Sequence, residues 1–385
     1  MYFFDRAFRS FFIGGSLFAV LSMFVWWMNY PQALSGLSGM NPMYWHAHEM
    51  VFGYALATIT GFLLTAVMNW TGLNSASGKW LAGLFMLWLS ARIGYLINLP
   101  LECIAVLDIG FTLGLFLHFF IPVYKSQQWK QIGLAVKFLL LVLANVVYYA
   151  GAFGVLAEGI LWGVISGLFL VLAINLTMMR RLIPFFTEKA LGLPEKDNSK
   201  WVDRIAIGGF FGLMIAALLA PTHWITAVIA FPLAVTHAIR WQKWYHPKIW
   251  KIVLLWPLYV SYGFMIIGMV LYGFVGLKVI GESLAIHTLA AGGIGLLCSA
   301  IMARISLGHT NRNVFEPPRA VVVVFIILAL TAIVRVFLPI IDPLHYVLWM
   351  QLSQWGWIVG FTIMSIIYWP ILTKPSQPKD TGIRL

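Results

Sequence analysis

At residue 45 the chain reads Trp45-His46-Ala47-His48-Glu49-Met50, opening a stretch of about twenty mostly apolar residues. Imidazole and carboxylate are expensive in hydrocarbon, so ionisable groups in a membrane-crossing stretch are functional suspects by default. Two imidazoles and a carboxylate this close together point to metal or haem ligation. On a regular helix His46 and His48 are turned about 200° apart and cannot serve one site. His46, Glu49, Met50 and Gly53 share one face, where imidazole and thioether suit copper. His48, Phe52 and Ala55 share another, where a single imidazole beside aromatic and small residues suits an axial haem ligand. The same pair also reads as interfacial histidines hydrogen-bonded to their neighbours.

Three more residues join this set. His287 opens Ile286-His287-Thr288-Leu289-Ala290-Ala291-Gly292-Gly293-Ile294-Gly295, a run nearly free of bulk. Such a run lets helices approach closely, and it would equally let a flat macrocycle lie against the backbone. Arg92 lies well inside an apolar stretch and needs a partner: Glu49, Asp108 or a haem propionate, for which its forked donors are well shaped. His309, in Gly308-His309-Thr310-Asn311-Arg312, reads as a helix end and turn, either a capping residue or a second-site ligand with His237 or His118.

Elements that could position these groups follow from the composition. Of 385 residues 61% are hydrophobic and 10% charged, where a soluble domain carries about a quarter charged residues. The apolar residues come in long runs, so the expected fold is an all-α polytopic membrane protein of about 12 transmembrane helices with no soluble domain. Candidate spans are 11–30, 45–68, 80–98, 103–122, 134–151, 156–178, 203–220, 223–239, 251–274, 283–303, 319–338 and 345–372. Spans 203–220 and 223–239 meet across Pro221 and Thr222 as a tight hairpin, and the longest loop is expected at 179–202. Arg6 and Arg9 precede an apolar run that is too long for a signal h-region, so it is expected as an uncleaved first helix. Residues 1–385 form one transmembrane domain in this reading, with a tail at 373–385.

With both termini cytoplasmic, all but Arg92, Lys278 and Arg335 of the 25 Lys and Arg residues fall on the cytoplasmic side, as the positive-inside rule expects. The net charge of +12 is therefore spread over orienting loops. It excludes a nucleic-acid surface and suits contact with membrane lipid headgroups, most densely at Arg180, Arg181, Lys189, Lys196, Lys200 and Arg204. On this topology His48 and His287 begin spans two and ten at similar depth near the outer face, and they are the pair best placed to hold a haem. Aligning them also pairs Gly53 with Gly292 and Thr71 with Thr310, a weak internal echo. Cys103 and Cys298 sit in apolar runs and make no redox or metal motif.

Several segments together resemble the NnrS family: Trp45 through Gly53, Gly61-Phe62-Leu63-Leu64-Thr65-Ala66, Asn69-Trp70-Thr71-Gly72, Arg181-Leu182-Ile183-Pro184-Phe185-Phe186-Thr187, and His287 through Met302-Ala303-Arg304 to Gly308-His309-Thr310. The resemblance covers most of the chain. It implies a multi-pass protein of the bacterial inner membrane containing haem (b-type) and copper, tied to nitric oxide binding, tolerance or response. Carried over by position, His46, His48, Arg92, His287 and His309 are the expected cofactor contacts, with His46, His48, Met50 and His287 the expected metal ligands. Asn311 stands where the family pattern has glycine.

Two functions compete at this point. One is a haem and copper protein that binds, senses or processes nitric oxide; haem–copper oxidases also place haem ligands on helices two and ten of twelve. Span six has no histidine, so their copper site is not reproduced. The other is a secondary transporter of a metal, haem or small solute, with the histidines and Arg92 lining a path.

Overall fold

Lipid offers backbone groups no hydrogen-bond partner, so apolar runs of this length must satisfy their own amides and carbonyls. In the computed structural model they do so as helices. The structure describes residues 2–30, 37–194 and 199–378; among these the chain is 83% helical and no strand occurs. The long helices are α1 (Ala7–Asn29), α2 (Pro42–Thr71), α3 (Gly78–Leu96), α4 (Leu101–Lys125), α5 (Trp129–Ala152), α6 (Gly159–Leu191), α7 (Lys200–Leu219), α8 (Trp224–Lys243), α9 (Trp256–Gly276), α10 (Glu282–Gly308), α11 (Ala320–Ile341) and α12 (Pro343–Thr373). All but α3, eleven among the described residues, are long and apolar enough to cross a membrane. Helix α3 has 19 residues, but Lys79 and Arg92 dilute its hydropathy. The chain is thus an all-α polytopic membrane protein, and each expected span falls on one of these helices.

Contacts divide the described residues into two compact units. One draws on Met1–Val171, Met302–Val314 and Trp357–Leu385; the other draws on Leu172–Ile301 and Phe315–Gly356. They are called the first and second units below.

In the first unit, α2 starts on a capped turn. Asn41 accepts from the Met43 amide (2.9 Å) and Pro42 takes the first helical position, where a missing N–H costs nothing. After His48 the helix widens: Glu49–Ala55 form a π-helical segment with i→i+5 spacing before the α-helix resumes at Leu56. Gly72, left-handed at φ 70°, closes the helix. At the other end of this unit Arg9 donates to Leu372 O and Lys374 O (2.7 Å each) and to Ser376 Oγ (3.0 Å), capping α12 from outside. Part of the expected tail is tied down as well. Gln377 N donates to Thr310 O (3.0 Å) and Asn311 Nδ2 to Gln377 O (2.7 Å). Residues 379–385 of that tail lie outside the described residues.

In the second unit, α7 and α8 form the expected hairpin. His223 accepts from the Ile225 amide and Thr226 Oγ1 donates to Ala220 O (2.8 Å) across the turn. The loop expected at 179–202 is a correction. Helix α6 continues through Pro184 to Leu191, so Arg180 and Arg181 are helical. Charge ends a hydrocarbon span, but it does not end a helix whose backbone bonds are already local. Lys196, from the same basic stretch, lies outside the described residues.

Candidate functional site

The π-helical turn of α2 presents His48 and Glu49 to α3, α4 and α5, and a closed polar set forms around them inside the first unit. His48 Nδ1 donates to Glu49 Oε1 (2.9 Å), and Nε2 faces Asn145 Oδ1 (3.0 Å) and Asp108 Oδ2 (3.3 Å). Arg92 Nε lies 3.0 Å from Glu49 Oε2, and its Nη2 donates to Asp108 Oδ1. Asn145 Nδ2 donates to Asp108 Oδ2 (2.9 Å), Tyr149 OH donates to the same oxygen (3.3 Å), and Tyr95 OH meets Tyr149 OH at 3.1 Å. His48, Glu49, Asp108 and Asn145 are 0% exposed and Arg92 is 2% exposed. Both His48 nitrogens face oxygens, and the carboxyl groups of Glu49 and Asp108 lie between this ring and the Arg92 guanidinium. Charges this deeply buried persist only when paired and hydrogen-bonded in this way.

Packing fixes the ring as firmly as its bonds do. Tyr148 stacks on His48 with centroids 4.1 Å apart, and Phe52 stacks at 4.9 Å. Gly53 completes the π-helical turn. A Cβ there would lie 2.4 Å from the Phe18 ring, 3.1 Å from Arg92 Nη1 and 3.2 Å from Glu49 Oε2. Trp88 Nε1 donates to Gly53 O at 2.9 Å.

The two-face expectation for α2 holds in part. His46 stacks on Trp26 of α1 (4.7 Å, 10° between planes), and Met50 S accepts from Ser22 Oγ (3.7 Å). Ser22 and Trp26 are one turn apart, so the imidazole and thioether share the α1 side while His48 and Phe52 look away. Glu49 is the correction. Expected beside His46 and Met50, it bonds His48 and Arg92 instead, because its position lies between the two faces and its carboxyl group turns to the buried cation.

Helix α10 repeats the local design in the second unit. Here too the residue after the histidine begins a π-helical segment, Thr288–Gly295. Of the two readings of the glycine run, the packing seam is what forms. A Cβ on Gly292 would lie 2.4 Å from Phe264 Cγ, and one on Gly293 would lie 2.9 Å from Met265 Cγ, both on α9. Ala290 and Ala291 stay half-buried and present only methyl groups. His287 Nδ1 donates to Ser283 O (2.7 Å). Arg335 of α11 places Nη2 3.1 Å from Nδ1 and 3.2 Å from Nε2 of the same ring, and it also donates to Ser283 Oγ (3.1 Å). An atom so close to both ring nitrogens stands over the ring, since in the plane the carbon between them would block it. The carboxylate at the start of α10, Glu282, accepts from Tyr272 OH (3.2 Å).

His309 follows α10 within the first unit, its ring 5.5 Å from Phe8 and its carbonyl accepting from Ser376 Oγ (3.5 Å). Burial, aided by the Arg6 charge, pushes its imidazole down to about 4. Its expected companions have other settings: His237 Nδ1 meets Tyr262 OH at 2.6 Å in the second unit, and His118 lies half-buried on α4. Asn311 has φ 57°, the left-handed conformation that glycine adopts most easily and asparagine next. The departure from the family pattern therefore keeps the turn.

Among the described residues no three His, Cys, Asp or Glu side chains are disposed as a metal cage. A metal ion here needs thioether or non-protein ligands as well. His48 does not fit as an axial ligand, because both nitrogens are committed to oxygens and both faces to aromatic rings. His287 fits: its Nδ1 proton is fixed on a backbone carbonyl, the second-sphere bond that orients metal-binding imidazoles and leaves the Nε2 lone pair as donor. His46 with Met50 fits a soft metal by donor type.

Residues not singled out from the sequence complete both settings. Asn145 and the tyrosines at 95, 148 and 149 surround His48; an amide in the apolar run Leu141-Val142-Leu143-Ala144-Asn145-Val146-Val147 was the available signal. Arg335 had a signal too, as one of three basic residues that break the positive-inside pattern.

The family model described as NnrS protein matches residues 2–376. No curated protein matches the chain.

Proposed function

Since the chain belongs to the NnrS family, we propose that it serves the nitric oxide response in the bacterial inner membrane, carrying a b-type haem on His287 and copper on His46 with Met50. Family membership supports the nitric oxide connection and the membrane setting. The charge distribution supports cytoplasmic termini, a reading in which both histidine-bearing helix starts face the periplasm.

The observation that carries the haem assignment is the fixed tautomer of His287, whose Nδ1–H is held by Ser283 O at 2.7 Å. That bond aims Nε2 and sets its lone pair as the donor. When bound, haem supplies an iron with a coordination position open to a diatomic gas. Ala290 and Ala291, half-buried on the same helix, add no bulk beyond methyl groups. The closed set around His48 holds α2, α3, α4 and α5 in register, and so holds the α2 turn that carries His46 and Met50.

Absorbance spectroscopy and metal analysis of the detergent-purified protein test this. The expected result is a Soret band near one haem per chain, shifted by nitric oxide, with copper depleted in His46→Ala. A colourless, metal-free protein that supports flux of a solute in vesicles would overturn it in favour of a transporter.

A further inference from the structure

Arg335 bears on which form of metal His287 accepts. Its Nη2 lies 3.2 Å from His287 Nε2, the donor nitrogen, and a donated bond to Ser283 Oγ at 3.1 Å steadies it there. A bare divalent cation arriving at Nε2 would come up against this fixed positive charge and be repelled by it. A metal delivered inside a macrocycle that bears carboxylates meets the opposite situation. Its acidic groups bring the counter-charge with them, and a guanidinium grips a carboxylate through two parallel N–H donors.

We infer that Arg335 is the specificity-determining residue of the His287 site: it excludes free divalent metal ions and anchors a carboxylate of an acidic metalloporphyrin. This rests on the assignment of haem to His287.

The test compares haem with its dimethyl ester, which has the same iron and ring but no free carboxylate. Both are titrated into metal-depleted, detergent-purified protein and followed by Soret absorbance. Wild type is expected to bind haem ~10–100-fold more tightly than the ester, the range of a charge-assisted hydrogen bond. Arg335→Gln should erase that preference and raise Zn(II) binding at His287, while Arg335→Lys should keep part of it. Equal binding of haem and ester by wild type would overturn the inference without any reliance on a variant's folding. So would a preference that survives in Arg335→Gln, since the carboxylate anchor would then be elsewhere. His287→Ala separates the two levels of the account. If it binds haem with an unchanged spectrum, the His287 assignment itself fails; if it loses haem while wild type shows no ester discrimination, only the role of Arg335 fails.

Discussion

The π-helical turns after His48 and His287 start from one local plan and end in opposite chemical states. Each begins one residue beyond a histidine near the start of a helix. Each has glycine five residues after that histidine, pressed against a phenylalanine of the preceding long helix, Phe18 or Phe264. Each receives an arginine from the long helix that follows, Arg92 or Arg335. Around His48 two carboxylates, an asparagine and three tyrosines close the set, and the ring is 0% exposed. Around His287 the ring is half-buried, with one nitrogen on a backbone carbonyl and a guanidinium over its face. A shared plan thus ends fully buried among carboxyl groups in one place and half-buried in the other. Around His48 the counter-charge comes from within the chain, where Glu49 and Asp108 pair with Arg92.

The largest effect expected from this contrast is at the two arginines. Arg92→Leu leaves Glu49 and Asp108 buried without their cation and should cost about 3–5 kcal/mol, read as a collapse of monodisperse yield and of the thermal midpoint in detergent. Arg335→Leu should cost under about 1 kcal/mol, as expected for a partly exposed group. Equal losses would break the comparison. The glycines sharpen it. Gly53→Ala meets the outer edge of Phe18, which can turn, and should cost about 1–3 kcal/mol. Gly292→Ala meets Phe264 at Cγ and Cβ, close to the backbone, and should fall at or beyond the top of that range.

Next in size is Asn145→Leu, which strips a partner from both His48 and Asp108 and should cost about 1–3 kcal/mol. Thermal shift checks it against Ser283→Ala, which keeps the backbone carbonyl that holds His287 and should change little. His309 gives a pH signature. Its imidazole lies below its ordinary 6.5, at about 4, so the unfolded chain binds that proton more readily. Its contribution to stability is complete above pH 6.5 and is lost as pH falls through about 4. His309→Gln should flatten this part of a stability-versus-pH curve. The smallest effect is Asn311→Gly, which relieves a left-handed residue but removes the Nδ2 bond to Gln377 O, so stability should change by less than about 1 kcal/mol.

Much of this was legible in the sequence. Hydrophobic run length and the asymmetry of basic residues suffice to place all the long helices, because a lipid-crossing backbone has no alternative to helix. The alignment of His48 with His287 already held the pairing of Gly53 with Gly292. The π-helical turns themselves leave no such trace. They pack closely against a neighbouring helix at Gly53 and Gly292, and periodicity does not report tertiary partners. Glu49 was assigned to the wrong face for that reason. Asn145 and Arg335 stood out by type, but their targets depend on which helices pack together, which no local pattern fixes. The extension of α6 to Leu191 escaped because hydropathy marks the edge of hydrocarbon, not the end of hydrogen bonding.

The central claim is that His287 and not His48 carries the iron. Haem content per folded chain, measured by Soret absorbance and metal analysis on His48→Gln and His287→Ala purified in parallel, tests it most directly. Haem retained with a near-wild-type spectrum in folded His48→Gln and lost in His287→Ala is the expected result. Loss of haem from well-folded His48→Gln, with full occupancy in His287→Ala, would contradict it.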